Sequence, residues 1–166
     1  MDTRDLLKDA FGRIAELYTD VTDGLDADML HHRPDGAGNP MGWLLWHLAR
    51  VQDDHVAELA DRPQEWEKWR ERFELPYEPD DTGFGHSEEQ VAALRVPDAG
   101  LLVGYHRDVQ RMTMEYVEQL DDEALDRIVD RRWDPPVTAG VRLVSVQGDC
   151  LQHLGQAAYV KGLLTR

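Results

Sequence analysis

Asp149 and His153 stand four residues apart in the stretch Gly148-Asp149-Cys150-Leu151-Gln152-His153-Leu154-Gly155-Gln156. On a helix this spacing sets a carboxylate and an imidazole one above the other on the same face. One helix can thereby offer an oxygen and a nitrogen ligand to one metal ion. His47, far upstream, interrupts the otherwise apolar run Met41-Gly42-Trp43-Leu44-Leu45-Trp46-His47-Leu48. Three ligands from two helices leave coordination positions for water and substrate, the arrangement of a catalytic rather than a closed structural site. Trp43, one turn before His47, would wall a pocket there, and Gln156, one turn beyond His153, could hydrogen-bond a ligand or a substrate. Val51, Asp54 and His55 follow His47, with His55 about one residue off its face and reading as rim. Cys150 is three residues before His153 and is an alternative to Asp149 as third ligand, although a lone buried cysteine is usually a small hydrophobe. The competing reading is structural: His47 as a satisfied core imidazole, and Asp149 with His153 as an ordinary i,i+4 pair. His31, His32, His86 and His106 fall in loops or beside polar residues and read as surface or pocket rim.

Helices must position these groups. Leu6, Leu7, Phe11, Ile14, Leu17 and Tyr18 recur at helical spacing, predicting a first helix over about Thr3 to Asp20. After a link with a break at Arg33-Pro34-Asp35-Gly36, Asn39 is expected to cap a second helix with Pro40 at its first position, running to about Ala60. The connection from Pro63 to Pro97 is long and irregular. A helix over Gln64–Phe73 would carry Trp66, Trp69 and Phe73 on one side, and Ser87 heads a short helix, Glu88–Leu94. Thr82-Gly83-Phe84-Gly85 breaks any regular period.

Asp98 caps a third long helix, about Ala99 to Leu120, with Leu102, Tyr105, Val109, Met112, Tyr116 and Val117 as its apolar set. Asp121-Asp122-Glu123 caps a short turn, and Trp133-Asp134-Pro135-Pro136 with Gly140 marks a loop or small hairpin. The last helix is expected over about Leu143 to Leu164, with Val146, Cys150, Leu154, Ala157, Ala158 and Leu163 mostly inward. Four long amphipathic helices without convincing strand alternation predict an all-α, four-helix bundle. The long second-to-third connection permits a crossover that leaves those two helices parallel. His47 and the Asp149/His153 pair then converge if the second and fourth helices are neighbours.

At 166 residues the chain is read as one domain spanning 1–166, able to bury roughly 70% of its unfolded surface without disulfides. Its one cysteine fits a reducing cytoplasm, and Met1-Asp2-Thr3-Arg4-Asp5 opens straight into an amphipathic pattern rather than a signal peptide. No stretch reaches the ~18 consecutive apolar residues of a membrane span. Thirty-three Asp and Glu against 18 Lys and Arg give a net charge of −15, a field that repels nucleic acid and anionic lipid.

The chain resembles the DinB-like metal-binding helical bundle superfamily. The resemblance lies in Leu30-His31-His32-Arg33-Pro34, in Gly42-Trp43-Leu44-Leu45-Trp46-His47-Leu48, and in Asp149 through Leu164, with helix order and lengths agreeing over essentially the whole chain. It implies an up-down-down-up bundle, a divalent metal (zinc or nickel commonly), frequent homodimers, and in several branches thiol-dependent transferase chemistry. The family's triad, a His on the second helix and His-x-x-x-His on the fourth, falls on His47, Asp149 and His153. Asp149 departs from the commoner His and is similar to the branch of mycothiol-dependent maleylpyruvate isomerases, which carries Glu there. Asp is one methylene shorter, from which either a metal position nearer the fourth helix or weaker metal binding is expected. The second, C-terminal domain of the isomerase type is not expected here, which speaks against isomerase activity.

The expected function is therefore metal-dependent transfer of a low-molecular-weight, mycothiol-like thiol to an electrophilic small molecule. Gln156 or Asp54 would orient or deprotonate the thiol, and Arg50, Arg107 and Arg111 would offset the acidity for an anionic cosubstrate. The rivals are a non-catalytic protein that sequesters a small molecule and a metal-assisted hydrolase, the latter needing Asp54 or His55 as base.

Overall fold

The computed structural model describes residues Met1–Arg166. Four long helices dominate it: α1 (Thr3–Thr22), α3 (Met41–Leu59), α6 (Ala99–Glu118) and α8 (Ala139–Leu164). Short elements fill the links: α2 (Ala27–His31), α4 (Trp66–Phe73), α5 (Glu88–Ala93), α7 (Asp122–Asp126), and a ribbon of β1 (Ile128–Asp130) antiparallel to β2 (Val137–Thr138). The all-α class expected from the sequence is what is found; strands of three and two residues are too short to show alternation.

Side-chain caps start most of these helices, as the sequence predicts. Asp98, Ser87 and Asp121 accept backbone N–H bonds from Leu101, Gln90 and Ala124, each cap contributing about 1 kcal/mol. Two starts differ from expectation. Pro40, not Asn39, is the N-cap residue of α3: its backbone is extended (φ −73°, ψ 154°), and its carbonyl accepts the Leu44 N–H at 3.1 Å. The fourth long helix begins at Ala139, before Gly140, because Thr138 Oγ1 caps it by accepting from Val141 N–H. Gly140 thus lies in the first turn, where intrahelical bonds are still incomplete and a glycine interrupts little.

Each long helix packs against two others: α1 and α3 both lie against α6 and α8. Phe11, Ile14 and Tyr18 of α1 bury with Leu44, Leu45 and Leu48 of α3, Tyr105, Val109 and Met112 of α6, and Val146, Cys150 and Leu154 of α8. Full burial of one such aliphatic side chain contributes about 1.5–3 kcal/mol. Several expected core residues are instead exposed. Leu6 and Leu17 lie about 100° around α1 from Leu7 and Tyr18, outside the stripe that its two neighbours cover. Ala158 and Leu163 are exposed in the same way on α8, whose inward stripe runs through Ala157 and Val160. No helix is long and apolar enough to cross a membrane.

Candidate metal centre and its cleft

His47 on α3 meets Asp149 and His153 of α8 where these two helices pack. One ligand atom from each residue lies within 4.8 Å of the others, and His153 Nε2 is 3.6 Å from Asp149 Oδ1. Both imidazoles are fixed from behind. The Thr82 carbonyl lies 2.5 Å from His47 Nδ1 and accepts its N–H; Gln156 Oε1 does the same for His153 Nδ1 at 3.2 Å. That tautomer leaves Nε2 of each ring as a lone pair, the arrangement metal-binding histidines require. The His47 ring also stacks on Trp43, 4.6 Å apart and 12° from parallel. Burial holds the His47 pKa below its ordinary value, helped by the neighbouring His153 and His86 and opposed by the Thr82 carbonyl and Asp149. Its lone pair is therefore free at neutral pH.

Asp149 Oδ2 is buried and has no hydrogen-bond partner. A solitary buried carboxylate oxygen is costly, and a cation between Asp149 and the two Nε2 atoms would satisfy it. The donor set, one carboxylate and two imidazoles, fits a divalent ion on these grounds.

Cys150 is not part of this cluster. It is fully buried, and its thiol points between α3 and α8 toward the Leu48 carbonyl (3.7 Å) and Gln52 Oε1 (3.8 Å). Burial raises its pKa far above the usual thiol range.

A layer behind the cluster was not legible in the sequence. Asp81 accepts from His86 Nε2–H (2.9 Å), and His86 Nδ1 accepts from Trp43 Nε1–H (3.1 Å), so the chain of bonds ends on the indole that stacks on His47. Burial opposes ionisation of Asp81, but the His86 and Gly83 N–H bonds outweigh it and lower its pKa. Arg50 donates to the Asp81 carbonyl (3.1 Å) and to Gln64 Oε1 (2.8 Å). The backbone passes so close here that a Cβ on Gly83 would lie 2.9 Å from His47 Nδ1; Gly83 also has φ +86°. His86, expected at the rim, is in this second layer with its side chain 3% exposed. His106, read from sequence as a surface or rim residue, is instead buried in the core, stacked on Tyr18 at 3.9 Å.

A cleft of about 540 Å³ opens beside the cluster. His47, Val51, Asp54 and His55 of α3 line one side, and Arg142, Ser145, Val146 and Asp149 of α8 the other; Thr82 with Phe84, and Asp130 with Arg132 and Trp133, form the rim. Asp54 keeps one oxygen on Gln64 Nε2 (2.8 Å). His55 Nδ1 accepts from Arg142 (3.0 Å), and burial followed by that guanidinium lowers its pKa. Asp54 and His55 thus line the cleft, whereas Trp43 backs His47 and Gln156 braces His153. The three arginines expected to offset acidity do not do so here. Arg50 is wholly buried, and Arg107 and Arg111 lie on α6 beside Asp108; Arg132 and Arg142 are the cleft's cations.

No curated protein matches the chain. A crystal structure described as the conserved protein of a locus from Enterococcus faecalis is 30% identical over 96% of this chain and 95% of that one, with a TM-score of 0.87. The sequence pattern of the DinB superfamily matches residues 10–157. A mostly helical chain with a His/Asp/His cluster between its second and last long helices, it belongs to the DinB superfamily.

Proposed function

We propose that this chain binds one divalent metal ion through His47, Asp149 and His153 and transfers a low-molecular-weight thiol to an electrophilic small molecule. The observation that carries the reading is the convergence of three ligand atoms within 4.8 Å, beside an open cleft that His47 and Asp149 line. Zinc or nickel suits this donor set and is what the resemblance implies. The up-down-down-up order belongs to the same reading. It is supported by pairs that descend along α8 as they ascend α3 (His47 near His153, Glu58 with Arg142) and by pairs that ascend together on α3 and α6 (Arg50 with Tyr105, Gln52 with Thr113).

When bound, a divalent ion lowers the pKa of a thiol that reaches it, so that thiolate is available near neutral pH. The protein does the rest. Thr82 and Gln156 hold the two imidazoles in the ligating tautomer, and Trp43 fixes the His47 plane. Asp54 is the group placed to take the thiol proton, at the carboxylate oxygen that Gln64 leaves free. Val51 and Val146 give the electrophile an apolar wall. No side chain serves as nucleophile; the thiol brings the sulfur, and Cys150 is sealed in the core.

Turnover of 1-chloro-2,4-dinitrobenzene with mycothiol, glutathione and cysteine, with zinc or nickel and after chelation, tests this. Metal-dependent turnover that is lost in His153→Ala is expected; rates equal to those of the chelated protein would contradict it. The presence of Asp54 and His55 on the same cleft favours metal-assisted hydrolysis as the second reading, and thiol-independent ester cleavage would support that instead. Ligand binding without any turnover would point to a sequestering protein.

A further inference from the structure

Of three phenylalanines and five tryptophans, only Phe84 and Trp133 are exposed, at 91% and 66%. Every other Phe and Trp is at most 7% exposed. Both exposed rings lie on the rim of the same cleft, although they come from loops about fifty residues apart in sequence.

Each ring projects from a loop with an anchored base. Phe84 stands between Gly83 and Gly85, both with positive φ (86° and 76°), and the turn beneath it is tied by Gly83 N–H to Asp81 Oδ1 at 2.7 Å. Trp133 follows Arg132, whose guanidinium holds Asp130 at 2.7 Å, and Asp130 also faces Arg142 at 3.5 Å. Val51 and Val146 line the cleft between the loops. A large aromatic ring exposes roughly 150–250 Å² when left outside a core. Apolar surface of that kind, gathered on one concave place, marks a ligand site.

The geometry points to a binding site for a planar aromatic ring without negative charge, seated between Phe84 and Trp133 over Val51 and Val146. The exclusion of negative charge follows from the walls. Arg132 is paired with Asp130, and Arg142 with Glu58, Asp130 and His55, so both guanidinium charges are already offset by carboxylates. Asp54 and Asp149 add negative charge to the same cleft. This names the electrophile of the proposed transferase as an aromatic one. Only that last step rests on the transferase reading, because ring binding does not require metal or turnover.

Trp133, as the exposed tryptophan, makes the site its own reporter. Chelator-treated protein is titrated with 4-nitrobenzyl alcohol, with its anionic counterpart 4-nitrobenzoate, and with the non-planar cyclohexylmethanol, by tryptophan quenching for the nitroaromatics and calorimetry for all three. Saturable quenching by the alcohol is expected, with the other two probes bound about tenfold more weakly. Phe84→Ala and Trp133→Ala should each weaken the alcohol by about tenfold, whereas Trp133→Phe should lose the quenching and keep the heat of binding. Both side chains are exposed, so circular dichroism should be unchanged in all variants. Quenching that does not saturate, affinity unchanged in both alanine variants, or equal binding of the benzoate or of cyclohexylmethanol would overturn the inference. A protein that binds no metal but passes this test fails the metal reading alone; one that turns over thiols but fails it loses only the aromatic site.

Discussion

A methyl group on Gly83 would sit 2.9 Å from His47 Nδ1 and 2.9 Å from Trp46, at a φ of +86° where L-residues are strained. Gly83→Ala should therefore push away the Thr82 carbonyl that holds His47. The expected outcome is metal affinity about 10–100-fold weaker, the usual cost of losing a partner behind a ligand, with helical content unchanged; unaltered affinity in a metal-competition titration would contradict it. His106 gives a different prediction. Burial holds its pKa at about 3 in the folded chain against 6.5 when free, so between those values the unfolded chain binds a proton that the native chain does not. The contribution of this group to stability is then fullest above pH 6.5 and is lost progressively as the pH falls toward 3. His106→Phe removes the group, and its stability by urea unfolding should lack this share of the acid slope. A variant with the parent's slope would show that other groups carry it.

Asp53 of α3 joins three elements: it accepts from the Glu65 and Trp66 N–H groups at the start of α4 (2.9 and 2.7 Å) and from Tyr105 of α6 (2.7 Å), with Arg50 at 3.6 Å. Burial raises its pKa against these bonds, a sign of how far from water the network lies. Asp53→Ala strands Arg50 and should cost about 3–5 kcal/mol; a loss under about 1 kcal/mol by urea unfolding would show the network to be dispensable. Elements of this kind also divide what the sequence discloses from what it hides. The long helices are legible because their apolar stripes repeat over five or more turns, and the ligand pair Asp149/His153 because its spacing is local to one helix. His47 is legible as a polar break in an apolar run. Thr82, Gly83 and His86 are not, because they lie in the aperiodic connection and reach His47 only through tertiary contact, His86 across 43 residues from Trp43. Pro40 escapes for another reason: with no side-chain cap bond, its place as the N-cap rests on backbone geometry alone. The early start of α8, by contrast, is open to reading from Thr138, a favoured capping residue, once Gly140 is not read as a break.

The molecule as a whole carries a charge of −15, and any anionic thiol must approach against that field. Raising ionic strength from about 0.01 M to about 0.15 M shortens the screening length from about 30 Å to about 8 Å. Under the proposed function, kcat/KM should rise for an anionic thiol such as glutathione and stay nearly flat for uncharged 2-mercaptoethanol; parallel responses would show that the net charge does not govern the thiol's approach. The proposed function depends on the His/Asp/His cluster holding an ion. Elemental analysis of protein purified without chelator or a histidine tag, beside His47→Ala and His153→Ala, tests that directly. About one zinc or nickel ion per chain is expected in the parent, and its loss in both variants with helical content retained. A parent that takes up neither ion after reconstitution, or variants that keep the ion, would contradict the metal centre and leave His47 as a packed core imidazole.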